Sequence, residues 1–173
     1  NDRRHGSHHE AQKSSTTTLP AYCPRSNPSS AGTGAHAKGL SVTQQLINGK
    51  RALAKRYKAK KFIAYFQSFS NTYAPLQTLK CLYDEALAVE DIVGLSIGTR
   101  PDCVNEPILD LLQEYARDCL IWIEYGLQSA SDITLGQINR GHDVQCFKHA
   151  VKTTLHRNIK ICAHVILGLP GEE

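Results

Sequence analysis

Five polar residues, Ser96, Arg100, Glu124, Gln128 and His164, sit in otherwise apolar runs and alternate there with Leu, Ile, Val and Tyr. Alternate residues of an extended strand share a face, so the five are placed on one face of three successive strands. A carboxylate on such a face is costly unless paired. Glu124 therefore calls for a partner, and Arg100 on the preceding strand is one choice. A single pair of this kind is ordinary structure, whereas five polar groups converging on one interior favour a ligand site. A second chemical feature is Cys23 in "AYCPRSNPSS" (21–30). Ser26 stands where a second cysteine would complete a CxxC pair, so Cys23 reads either as the remnant of a metal site or as a solitary thiol. His5, His8 and His9 lie in a polar stretch where histidines are ordinarily incidental.

The elements that must position these residues follow from periodicity. Ser41 and Gln44 fit a capping box, followed by a stripe of Val42, Leu46, Leu53 and Tyr57. "KKFIAYF" (60–66) predicts a strand, 75–88 a helix, "IVGLSIGT" (92–99) a strand and 105–116 a helix capped by Asn105. "LIWIEYGLQ" (120–128) predicts a third strand, Ser131 to about Arg157 helical segments, and "IKICAHVILGL" (159–169) a fourth. Strand and helix alternate, which implies parallel strands with crossover helices. One face of each later strand is apolar: Val93, Leu95 and Ile97; Ile121, Ile123, Tyr125 and Leu127; Ala163, Val165 and Leu167. The other face is small or polar. An open sheet covered on both sides wants both faces apolar, while a barrel around a polar ligand wants this split. The expectation is an α/β barrel whose interior is a site, with Tyr65 and His164 as core side chains.

The 173 residues are enough for one domain with a sizeable core. The sequence has no methionine, so its first residue is not a translation start. No apolar run is long enough to span a membrane. The six cysteines are scattered rather than arranged as a secreted disulfide framework, which predicts a reduced, cytoplasmic protein. Residues 1–36 are polar and aperiodic and are expected to be irregular or disordered, with the ordered domain over 37–173. From Lys38 to Lys61 there are eight basic residues and no acid. Such a patch suits phosphates, although a solvated helix face is the plainer reading.

"GTRPD" (98–102), "EYGLQSASDITLGQINRGHD" (124–143) and "VILGLPGEE" (165–173) together resemble the radical S-adenosylmethionine (SAM) enzymes. "YFQSFSNTYAPL" and "IVGLSIGTRPDCV" resemble the YhcC-like group in particular, which is related to the elongator catalytic subunit. The resemblance runs from about Asn27 to the last residue. It implies a partial (βα)6 TIM-type barrel, of which this chain carries strands two to five and no recognisable first strand, leaving the edges of 60–66 and 159–169 open. It also implies reductive cleavage of SAM at a [4Fe–4S] cluster held by three cysteines, giving a 5′-deoxyadenosyl radical. A flavodoxin- or ferredoxin-type reductant follows from the same likeness, and RNA becomes a possible substrate class. The family pattern places Cys23 at one cluster ligand and Ser26 at the next, where a hydroxyl is a poor ligand for iron. The abrupt loss of likeness before Asn27 suggests either a truncated or frame-altered N-terminus or a true divergence from the family. The cofactor-binding positions it implies are Gln128 at a strand end, Arg140 for the SAM carboxylate, and Gly168 and Gly171 in "GLPGE" against the adenosyl group, with Ser96 and Glu124 in the barrel wall. Two other readings remain: a fragment without a working cluster, and an RNA-binding module using the basic first helix.

Overall fold

The computed structural model of the chain describes the backbone of residues 15–20, and residues 40–172. Its centre is one parallel sheet of five strands, β1 (Ser15–Pro20), β2 (Phe62–Gln67), β3 (Ile92–Thr99), β4 (Leu120–Gln128) and β5 (Lys160–Val165), ordered as in the sequence. The connections carry α1 (Val42–Tyr57), α2 (Leu76–Leu87), α3 (Glu106–Tyr115), α4 (Asp132–Gln137) and α5 (Val144–Thr154), with a single 3-10 turn at Pro101–Cys103. Every strand-to-strand step is a parallel crossover, the architecture of a part-barrel.

Local chemistry sets most helix starts. The Ser41 hydroxyl accepts the Gln44 N–H at 3.1 Å, and the Asn105 side chain accepts that of Ile108 at the same distance. Asp143 caps α5 by accepting from the Cys146 N–H at 2.7 Å. α1 ends where Lys58 turns left-handed at φ 54°, its N–H bonded to the Ala54 carbonyl. Val42 and Leu46 of the expected stripe are buried, but Tyr57 is 52% exposed.

The two sheet faces divide as the alternation implies. Ala64 and Phe66, Leu95 and Ile97, and Ile121, Ile123 and Tyr125 form the helix-covered face and are buried. Tyr83 of α2 packs edge-on to Phe66 at 5.3 Å between centroids, and its hydroxyl donates to the Asn71 carbonyl at 2.8 Å. Tyr65 pairs with Ser96 and Glu124 with Cys162, and all four lie on the other face, toward the interior. There Trp122 remains 39% exposed.

Two expectations are corrected. Ser15–Pro20, in the stretch expected to be irregular, forms β1 and pairs with β2 from Ser15↔Phe62 to Pro20↔Gln67, so a first strand is present and that edge of β2 is covered. Its run of three threonines carried the strand propensity that the polar surroundings obscured. The helical segments expected after Ser131 are two helices, separated where Asn139 takes φ 55° and the chain turns through Arg140–His142. The last strand stops at Val165, and Val165, Ile166 and Leu167 are 57%, 47% and 89% exposed rather than packed under helices.

Candidate functional site

The site is built from the C-terminal ends of β2, β3, β4 and β5, which surround a cavity of about 370 Å3. Its walls include Tyr65, Arg100, Glu124, Gln128, Arg140 and His164. This volume lies in the range, about 300–1,000 Å3, typical of small-molecule pockets.

Glu124 is at its floor, with 11% of its side chain exposed. One carboxylate oxygen accepts the Tyr65 hydroxyl at 2.7 Å and faces His164 Nε2 at 2.8 Å; the other accepts the Ser96 hydroxyl. The partner of Glu124 is therefore not Arg100. Strand alternation ends at Thr99 because Pro101 opens a 3-10 turn, and Arg100 bends back on Asp102, donating from Nε at 2.9 Å and from Nη2. Burial and the Glu124 carboxylate push the Tyr65 phenol well above its ordinary range. Burial and the same carboxylate also push the Cys162 thiol up. Tyr65 and His164 are cavity-wall residues rather than core ones, and His164 is 49% exposed.

Gln128 and Arg140 meet above the floor. A register shift between Gly126 and Gln128 with φ 70° at Gln128 re-aims that side chain. A Cβ on Gly126 would lie 2.5 Å from Gln128 Nε2 and 3.2 Å from Arg140 Nη2, so the bare glycine is what lets both converge. Arg140 lies beyond the end of α4, and its Nη2 donates to the Gly126 carbonyl at 3.3 Å. Its Nε is buried with no hydrogen-bond partner among the described residues. Burial and the nearby Arg100 guanidinium pull the Arg140 pKa down, against a smaller opposing effect of Asp102, and Arg140 forms no ion pair among the described residues. The same side of the site holds His142, whose side chain is buried and pulled toward neutrality by burial and by Arg140.

The loop after β2 completes the rim. Asn71 Nδ2 donates to the carbonyls of Phe66, Ser68 and Gly98, at 3.1, 3.3 and 2.8 Å, which fixes the left-handed Ser68 and Phe69 (φ 77° and 62°). This anchor was missed from sequence, although an asparagine following two serines and a phenylalanine is a turn signal. Gly168 and Gly171 have φ 74° and 81°, with open space around each, and they do not line the cavity.

The cluster part of the expectation does not fit. Cys23 and Ser26 lie outside the described residues, and no group of three or more His, Cys, Asp or Glu among the described residues suits a metal ion. The pair supplies one thiolate and one hydroxyl, whereas an iron–sulfur cluster is held by thiolates.

Replacing Glu124 by glutamine tests the floor. The amide keeps the volume but turns an NH2 toward hydroxyl or imidazole donors, and the expected loss is about 1–3 kcal/mol of stability. Urea unfolding would show it; an unchanged midpoint would mean that the three donors do not depend on the carboxylate.

The family model described as the radical SAM superfamily matches residues 21–173. The chain belongs to that superfamily, a family of SAM-dependent enzymes. More particularly, it is 47% identical over 133 residues to Protein YhcC of Escherichia coli strain K12, covering 76% of this chain and 42% of YhcC. It is 38% identical over 147 residues to YtqA of Bacillus subtilis strain 168, covering 84% of this chain and 46% of that protein. The chain thus spans less than half the length of these relatives. Among solved structures, Elp3 of the archaeon Methanocaldococcus infernus, with residues 1–46 deleted, superposes with a TM-score of 0.68 at 16% identity, over 90% of this chain and 38% of Elp3. The cobalamin-dependent radical enzyme OxsB, with aqua-cobalamin and SAM bound, gives 0.54 at 21% identity, over 73% of this chain and 20% of that one. At such identities the likeness is one of fold, and it confirms the part-barrel. No described helix is long and apolar enough to cross a membrane.

Proposed function

We propose that the cavity at the strand ends binds SAM and that this chain is the SAM-binding part of a radical SAM enzyme. The observation that carries this reading is Arg140, a guanidinium held beside the cavity with a buried and unpartnered Nε. A carboxylate is the ligand group that supplies both the missing charge and the missing acceptor. Gln128 offers amide hydrogen bonds to the polar part of the same ligand, and Gly126 keeps the space above the strand clear. Ser96 and Tyr65 act through Glu124, fixing its carboxylate so that His164 is held in the cavity wall. Gly168 and Gly171 leave backbone free to approach the adenosyl group through motion of their exposed turn. In the superfamily, a bound SAM supplies a 5′-deoxyadenosyl radical when a cluster donates an electron.

Equilibrium dialysis with radiolabelled SAM tests the reading: saturable binding with one site per chain is expected, and its absence would overturn it. The donor set at Cys23 and Ser26 carries a separate expectation. After anaerobic reconstitution with iron and sulfide, the chain should hold well below the about four irons of a full cluster. A full complement would show that other residues complete the ligand set.

A further inference from the structure

The densest charge on the chain lies away from the cavity. Arg51, Lys55, Arg56, Lys58, Lys60 and Lys61 are exposed, and none of them forms an ion pair among the described residues. They occupy the last turns of α1 and its link to β2, so they cluster where β2 begins at Phe62. The cavity is lined by residues toward the other end of that strand, from Tyr65 to Ser70. Three strand steps at ~3.3 Å each carry the chain about 10 Å from Phe62 to Tyr65, the first cavity residue on β2. The basic patch therefore does not line the SAM site.

Its composition exceeds what the helix alone requires. The helix dipole favours Lys55 and Arg56 in the last turn, but it gives no reason for Lys58, Lys60 and Lys61 beyond the helix. Asp91, at the same end of the sheet, is engaged by Lys50 at 3.2 Å and neutralises none of the six. Tyr57 is the position where the apolar stripe fails: its ring is half in solvent, with the Arg56 guanidinium 5.1 Å from its centroid. A flat aromatic face set among unpaired cations offers both parts of a single-strand site, a stacking platform and neutralisation of the backbone.

We infer that this end of the barrel binds single-stranded nucleic acid, with a base stacked on Tyr57 and phosphates held by Lys55, Lys58, Lys60 and Lys61. Charge alone would accept any polyanion; the exposed ring selects an unpaired base over a duplex, an acidic protein or an anionic lipid surface. The surface is independent of the SAM site. A strand engaging both would have to cross at least about 10 Å, or about three nucleotides at ~3.4 Å each.

Fluorescence anisotropy with a labelled oligouridylate of about 20 nucleotides tests this. Neutralising about four phosphates gives a log–log salt slope near −2.8, so affinity should fall about 50-fold between about 50 and 200 mM salt. Lys55→Gln combined with Lys58→Gln should flatten that slope by about 1.4. Tyr57→Ala should weaken binding by about 5- to 100-fold with the slope unchanged, and Tyr57→Trp should restore it. SAM binding should be the same in all these variants, and far-UV circular dichroism should show that each is folded. Tyr57→Ala binding as tightly as the parent chain would overturn the proposal. So would equal affinity for a duplex of the same length, or binding to phosphatidylserine vesicles without binding to the oligonucleotide.

Discussion

Gly94→Ala is expected to be strongly destabilising. Gly94 pairs with Leu120 across β3 and β4, and a Cβ there would be driven into the Leu120 carbonyl oxygen while lying 2.8 Å from the Leu120 Cβ. Both obstacles are backbone or backbone-proximal in the middle of the sheet, so neither can swing aside as the end of a flexible side chain would. Relief requires the two central strands to part, at the point where the buried Leu95 and Ile121 meet on the opposite face. The expected cost is more than about 3 kcal/mol, a large share of the ~5–15 kcal/mol that holds a domain of this size together. Gly136→Ala is the matched control. It lies inside α4 with no atom within 4 Å of the added carbon, and should be neutral or stabilising by up to about 1 kcal/mol. Thermal melting followed by circular dichroism separates the two. A Gly94→Ala chain melting within a few degrees of the parent would show that β3 and β4 can spread without loss.

Arg140→Ala has the largest effect expected on binding. The interaction lost is a charge-assisted hydrogen bond to the SAM carboxylate, about 1.5–3 kcal/mol, or roughly 10- to 150-fold in affinity. The same change should leave stability within about 1 kcal/mol. Arg140 is held by one long hydrogen bond to Gly126, and its buried Nε opposes folding rather than supporting it. Arg140→Lys should recover part of the affinity but not the two-pronged geometry. Unchanged SAM affinity with a large fall in melting temperature would make Arg140 a structural residue.

The features legible in the sequence were those carried by near neighbours. Asn105 and Ser41 lie within three residues of the N–H groups they accept, and strand alternation placed Ser96 and Glu124 on the interior face correctly. What escaped depended on contacts between distant segments or on a local break in period. Glu124 is matched by Tyr65, 59 residues away, and by Ser96, 28 away; alternation gives the face a side chain points to, not its neighbour. Arg100 stood as one choice of partner for Glu124 because the alternation was carried one residue past Thr99, where Pro101 ends it. β1 was hidden because a strand of threonines ending in proline has no apolar alternation to detect.

The sheet order has a consequence for how the chain is made. Because β1 to β5 lie side by side in the order of synthesis, each new strand finds its docking partner already formed and already outside the ribosome. No early strand has to wait, unpaired, for a late one to be inserted between it and its neighbour, which is the situation that exposes slow parallel sheets to misassociation. Growth can proceed by adding one strand and its covering helix at a time, so the segment at risk at any moment is the most recent edge.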